Sequence, residues 1–90
     1  MRLIWDPVAE AERREIRAYI ARHNPAAADA LDTSFEKRAA RLLQYPRMGR
    51  LGRLPGTREQ VVRSNYILVY DFTQDSVRIL RVLHTARHWP

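Results

Sequence analysis

Cysteine is absent from this 90-residue sequence, which excludes disulfides and thiolate metal sites. The three histidines are scattered along the chain and do not have the spacing of a zinc site. No apolar run approaches the ~18–20 residues that a membrane span needs, and no signal-peptide pattern opens the chain. We therefore expect a cytoplasmic protein that uses neither a metal nor another cofactor.

Lysine is nearly absent as well, because fifteen of the sixteen basic residues are arginine and only Lys37 is lysine. The net charge is +6, and residues 47–90 carry most of it, with eight arginines against three acidic residues. The planar guanidinium group suits phosphate and carboxylate partners. The second half of the chain is therefore predicted to present an anion-facing surface, and either nucleic acid or an acidic protein could be the anion.

The first half of the chain reads as one strand and two helices. Met1–Trp5 is a short strand, and Asp6-Pro7 is a helix N-cap with proline at the first helical position. Apolar residues at helical spacing predict a first helix over Val8–His23, although Arg13 interrupts its apolar stripe. Asn24-Pro25 repeats the cap signal, and the second helix is predicted to run to about Tyr45.

The second half reads as a loop followed by strands. The segment PRMGRLGRLPGTRE holds all three glycines and predicts a loop or an irregular edge strand. Three runs rich in Val, Ile, Leu and Tyr predict strands over Gln60–Ser64, Tyr66–Phe72 and Ser76–His84. In the last strand, alternation places Val77, Ile79, Arg81 and Leu83 on one face.

These elements predict one α+β domain over residues 1–90 with the order β-α-α-β-β-β, in which a helical hairpin covers one face of a twisted antiparallel sheet. The hairpin is too small to cover both faces. We therefore expect the second face to be open and basic.

Candidate functional residues concentrate in the loop and at the end of the chain. For target or anion binding we select Arg50, Arg53, Arg58, Arg81 and Trp89. If the protein cleaves RNA without a metal, His84, Arg87 and Arg63 are the candidate acid–base and phosphate-binding groups. Structural alternatives stay open for several of these: Trp89 as a hydrophobic plug, His84 as a strand-end cap and Arg87 as an anchor of the last turn.

The sequence also resembles the RelE/ParE superfamily of bacterial toxins along essentially its whole length. The resemblance is carried, in order, by an N-terminal strand, IRAYIARHNPAAADAL, YPRMGRLGRLPGTRE, YILVYDF and VRILRVLHTARHWP. It implies the β-α-α-β-β-β fold and a growth-arresting toxin of a type II toxin–antitoxin module. Such a toxin is held inactive in a hetero-oligomer with a cognate antitoxin, which is acidic and partly disordered when free.

The superfamily divides by target, into RelE-like ribosome-dependent mRNA endonucleases and ParE-like inhibitors of DNA gyrase. RelE-like nucleases carry an arginine after the first tyrosine of the Y-x-x-V-Y motif, whereas this chain has Ile67 there. Loss of that cation favours the gyrase inhibitor. The alternatives are a metal-free nuclease in which Arg63, His84 and His88 form the site, and a nucleic-acid-binding module that is not toxic.

Overall fold

A computed structural model describes residues 1–90 as two helices on one face of a five-stranded sheet. The elements in chain order are β1 (Arg2–Trp5), α1 (Pro7–Ala21), α2 (Pro25–Leu42), β2 (Arg50–Leu51), β3 (Arg58–Val62), β4 (Tyr66–Phe72) and β5 (Ser76–His84). The spatial order of the strands is β1-β5-β4-β3-β2. The predicted α+β architecture is confirmed.

Side-chain caps fix where both helices begin, as the sequence predicts. The Asp6 carboxylate accepts a hydrogen bond from the Val8 N–H, and the Asn24 side chain accepts one from the Ala27 N–H. Proline occupies the first position of each helix, where no intrahelical N–H bond is lost. Each helix ends two or three residues earlier than predicted, α1 at Ala21 and α2 at Leu42.

The sheet differs from the fully antiparallel one that the sequence predicts, because β1 pairs with β5 in parallel. The remaining pairs are antiparallel. The two-helix connection makes the parallel pair possible, since parallel neighbours need a long crossover whereas antiparallel ones need only a tight turn. The edge strand β2 is only two residues long.

The main core lies between the helices and the sheet. The helix α2 contributes Leu31, Phe35, Ala39 and Leu42, while α1 buries only Ala9. The sheet supplies Val62, Leu68, Tyr70, Val77, Ile79 and Val82. None of the helices has the length and apolarity needed to cross a bilayer.

A β-bulge in β5 overturns the predicted sidedness of that strand. Ile79 lies opposite Tyr70 and Arg81 lies opposite Val69, so Leu80 is an extra residue in the ladder. Side-chain alternation is shifted by one residue after the bulge. Leu83 consequently faces away from the helices, whereas Ile79 faces them. The prediction that both residues share a face was wrong.

The β3–β4 turn also differs from the predicted strand boundary. Arg63 and Ser64 have φ values of 53° and 59°, in the left-handed region that tight hairpin turns use, and the turn occupies residues 63–65 because Val62 pairs with Tyr66. The strand β3 therefore occupies Arg58–Val62 instead of the predicted Gln60–Ser64.

Candidate functional site

The sheet face that the helices leave open is closed in part by the end of the chain. Ile67, Val69 and Leu83 form a small buried cluster there, and Trp89 packs against it. We call this contact the Trp89 plug. Two arginines hold it: the Arg53 Nη1 donates to the Trp89 carbonyl oxygen at 3.1 Å, and the Arg81 guanidinium lies 5.1 Å from the indole centroid. The latter contact is a cation–π interaction.

Glu59 is the buried anion beside the plug, with 2% of its surface exposed. Its carboxylate accepts from the Arg50 Nη2 at 3.1 Å and from the Arg53 backbone N–H at 3.0 Å. Burial alone would raise the pKa of Glu59, but these hydrogen bonds and the Arg53 charge outweigh burial and hold that pKa below its ordinary value. As a carboxylate, Glu59 therefore ties the segment 50–53, through Arg50 and Arg53, to the sheet.

The indole N–H of Trp89 belongs to the same group of atoms. The Trp89 Nε1 is buried and has no hydrogen-bond partner within bonding distance. It lies close enough to Glu59 to favour the charged carboxylate and contributes to its low pKa. The indole N–H of Trp89 thus lies near the buried Glu59 carboxylate without forming a hydrogen bond to it.

A second carboxylate, Glu12 of α1, holds the other side of the plug. The strand β1 ends at Trp5 opposite Ile79, so at Val82 β5 is paired with β4 on one side and has no strand partner on the β1 side. The Glu12 Oε1 accepts the Val82 N–H at 3.0 Å, and its Oε2 accepts from the Arg81 Nη2 at 2.8 Å. This hydrogen bond to Glu12 raises the pKa of Arg81. Glu12 therefore completes the edge of β5 and orients the guanidinium that stacks on the indole.

Four of the five residues selected for target or anion binding come together at this site: Arg50, Arg53, Arg81 and Trp89. Arg58 does not join them. Its Nη1 donates to the carbonyl oxygens of Gly49 at 2.8 Å and Arg47 at 3.2 Å, which braces the chain between α2 and β2. Arg58 opposes Tyr70 in the sheet register and so lies on the helix-facing side.

The three candidate catalytic side chains engage different parts of the molecule. The His84 Nδ1 accepts the Ala86 N–H at 3.0 Å, and its ring contacts Tyr66 edge-on at 5.1 Å. The Arg63 Nη2 donates to the Ala30 carbonyl of α2 at 3.2 Å. The Arg87 Nη1 lies 3.8 Å from the Glu12 Oε2. His88 is exposed. The structure contains no cluster of three His, Asp or Glu side chains that could hold a metal ion.

Sequence reasoning missed the two carboxylates that organise the site. Glu12 lies on the sheet-facing side of α1, three residues after the buried Ala9 and with a side chain that is 12% exposed, and its partners Arg81 and Val82 are 69 and 70 residues away. No local pattern marks such a contact. Glu59 carried a weak signal, as an acidic residue in an apolar strand within a basic segment, because a buried charge requires partners.

A helical hairpin on one face of an open sheet is the architecture that the sequence resemblance implies for RelE/ParE-like toxins. The family described as the ParE toxin of the type II toxin–antitoxin system parDE matches residues 3–89. The chain therefore belongs to the ParE toxin family and is a toxin of a type II toxin–antitoxin system, which implies a cognate antitoxin as partner.

Individual relatives agree with this assignment. The chain is 37% identical over 90 residues to the putative toxin Y4kP of Sinorhizobium fredii, covering 99% of this chain and 93% of that protein. It is 34% identical over 85 residues to the toxin RelE2 of Caulobacter vibrioides, covering 94% and 96%. A chain from the solved chromosomal ParDE system of P. aeruginosa shares the fold, with a TM-score of 0.82 at 19% identity and coverage of 93% and 95%.

Proposed function

We propose that this toxin arrests growth by binding DNA gyrase, without cutting mRNA. The observation that carries the proposal is the burial of Ile67, which occupies the position where the RelE-like nucleases have an arginine. Ile67 is 2% exposed and lies in the apolar cluster under the Trp89 plug. A packed isoleucine offers no charge to a phosphate, and a cation at that position would be worth several kcal/mol to a phosphoryl transition state.

The contacts of the candidate catalytic groups support the same conclusion. General acid–base cleavage requires side chains that converge within hydrogen-bonding reach of one reacting group. Arg63 is turned to α2 and Arg87 to α1, while one ring nitrogen of His84 is used by the backbone of the last turn. The contacts of these three side chains thus point to different places in the fold, and the three groups do not converge on one reacting atom.

The surroundings of the plug suit a protein target. Arg50 and Arg53 stand beside it, and Leu51 between them is 78% exposed. Arginine and tryptophan are enriched among the residues that dominate binding energy in protein interfaces, and Leu51 adds exposed apolar area beside them. We infer that residues 50–53, which include the short strand β2, and the Trp89 plug together form the gyrase-binding surface.

The antitoxin and the location follow from the same proposal. Because the toxin is basic, we propose that its cognate antitoxin has an acidic segment, partly disordered when free, that folds on the toxin to form a hetero-oligomer. The proposed target acts on chromosomal DNA, so we expect the toxin to act in the cytoplasm.

Two assays on the purified protein test the target directly. We expect it to inhibit supercoiling of relaxed plasmid by gyrase, and we expect His84→Ala and Arg87→Ala to keep that inhibition within about threefold. Codon-specific cleavage of ribosome-bound mRNA that disappears in these two variants, with gyrase unaffected, would show that the RelE-like alternative is right and the proposal wrong.

A surface variant tests where gyrase binds. Leu51→Ser should weaken gyrase inhibition about tenfold, as expected for loss of one interface anchor worth ~1–2 kcal/mol. Val8→Ser is the matched control, because Val8 is also an exposed apolar residue, at 51%, but lies on α1. Equal loss in both variants would place the contact elsewhere.

A further inference from the structure

The unpaired positive charge of this protein lies away from the Trp89 plug. Eight of the sixteen basic side chains form ion pairs with carboxylates, among them Arg50, Arg53, Arg78, Arg81 and Arg87 around the open face of the sheet. The expectation that free charge crowds that face is therefore corrected. Six of the eight basic residues without a carboxylate partner fall within residues 37–63: Lys37, Arg38, Arg41, Arg47, Arg58 and Arg63.

The helix α2 separates its charges by face. Asp29, Asp32 and Glu36 form ion pairs with α1. Four other side chains follow one another at positions i, i+3, i+4 and i+7, which share one face of a helix: Ser34, Lys37, Arg38 and Arg41. The acidic residues of α2 are all paired with arginines of α1, so the basic residues on its other face have no carboxylate partner.

Arg63 completes a cleft opposite this basic face. It projects from the β3–β4 turn, where the left-handed backbone holds it, and its Nη2 is fixed on the Ala30 carbonyl oxygen. The cleft has a volume of about 280 Å³ and is lined by Ser34, Lys37, Arg38, Arg41, Val62 and Arg63. Its four basic residues are all exposed. Arg63 thus faces the three cations of α2 across the cleft.

We propose that this cleft, the α2 basic cleft, binds the sugar–phosphate backbone of duplex DNA. Four cations without a carboxylate match the groups that proteins use to contact phosphate oxygens. The Ser34 hydroxyl is not counted among them, because it donates to the Ala30 carbonyl oxygen at 3.1 Å. The geometry calls for no base readout, so the contact is independent of DNA sequence. The cleft opens on α2 and the β3–β4 turn, so a toxin held through its plug still presents it to DNA.

The lining distinguishes duplex DNA from the other polyanions that a basic cleft could take. An acidic peptide needs apolar contact as well as charge, but Val62 is the one apolar lining residue and it is only 1% exposed. Single-stranded nucleic acid is held by stacking its bases on aromatic side chains, and none of the six lining residues is aromatic. A duplex keeps its bases inside and offers only phosphates, which is what the cleft can bind.

The test measures binding of the full-length toxin to a labelled 20-base-pair duplex by fluorescence anisotropy between 50 and 200 mM salt. Four phosphate contacts give a slope of log K against log salt of about −3.6, and Arg38→Gln/Arg41→Gln should reduce it to about −1.8. Affinity should then fall about 150-fold over this range in the unmodified protein and about 12-fold in the variant. Circular dichroism confirms that the variants are folded.

A control with equal charge loss decides whether the effect is local. Arg2→Gln/Arg22→Gln removes two other cations that have no carboxylate partner and should leave the slope near that of the unmodified protein. An unchanged slope in Arg38→Gln/Arg41→Gln, an equal loss in the control, or tighter binding of single-stranded RNA of the same length through the same residues would each overturn the proposal. Gyrase inhibition on its own plays no part in this result, so the two proposals fail separately.

Discussion

Removal of the indole at position 89 is the most direct test of how the open face is closed. Burying a Trp or Phe fully in a core is worth about 3–5 kcal/mol against alanine, and Trp89 is half-buried on Ile67, Val69 and Leu83. About 2 kcal/mol follows from burial. Stacking of Arg81 at 5.1 Å adds about 0.5 kcal/mol. We therefore expect Trp89→Ala to lower the free energy of unfolding by about 2.5 kcal/mol.

Urea denaturation provides the measurement, with the midpoint shifted and the slope unchanged. In a chain of this size the same loss lowers Tm by about 10–20 °C. His88→Ala is the matched control, because His88 is exposed and a surface substitution should stay within about 0.5 kcal/mol. A Trp89→Ala loss no larger than that of the control would mean that the tail does not pack on the sheet in solution.

The other predictions concern the buried polar groups. Because the pKa of Glu59 is lowered in the folded protein, its carboxylate stabilises the fold above about pH 4.3, and this stabilisation is lost as pH falls through the folded pKa. Glu59→Gln should therefore lower the free energy of unfolding by about 2 kcal/mol at pH 7, and the difference from the unmodified protein should shrink in acid. A difference that does not depend on pH would refute the ionised pair. Tyr70→Phe should lower the free energy of unfolding, measured by heat or urea, by about 2 kcal/mol. The reason is that the Tyr70 hydroxyl accepts the buried Gly49 N–H at 3.0 Å and donates to a backbone carbonyl at 2.6 Å. An unchanged unfolding midpoint would show that water replaces the hydroxyl. Arg13→Lys keeps the charge but loses the forked contacts across the hairpin and the stacking on Trp5 at 4.7 Å. We therefore expect the free energy of unfolding to fall by about 1 kcal/mol. Arg14→Lys, on the exposed face of the same helix, is the control and should leave it unchanged.

Local signals in the sequence were sufficient for the elements and their order. The cap residues Asp6 and Asn24 mark both helix starts because the capping bond joins residues two or three apart. Strand periodicity located β4 and β5 at the bounds that the structure gives them. Helix starts and strand periodicity depend on residues that are close together in the sequence, so they can be predicted from the sequence alone.

The bulge at Leu80 and the role of Arg13 could not be predicted in the same way. A bulge becomes visible only when β4 is aligned with β5, because it is a mismatch between two strands. Arg13 interrupts an apolar stripe in sequence, yet in three dimensions it stacks on Trp5 and pairs with Asp32 of α2. Its planar guanidinium makes both contacts, because the face of the group stacks on the indole while its N–H edge donates to the carboxylate.

The distribution of free charge shows the same limit, and it is the reason why we propose different partners for two surfaces. Formal charge counts every arginine equally, so the sequence placed the anion-binding surface on the arginine-rich second half. In the folded chain, Glu12 and Glu59 neutralise the arginines around the plug, which turns them into supports for an aromatic and apolar contact surface. The α2 basic cleft has no carboxylate among its lining residues, so its cations stay available for the phosphate contacts that we propose. A charge that already has a partner confers shape and specificity, whereas a charge without one confers affinity for an anion.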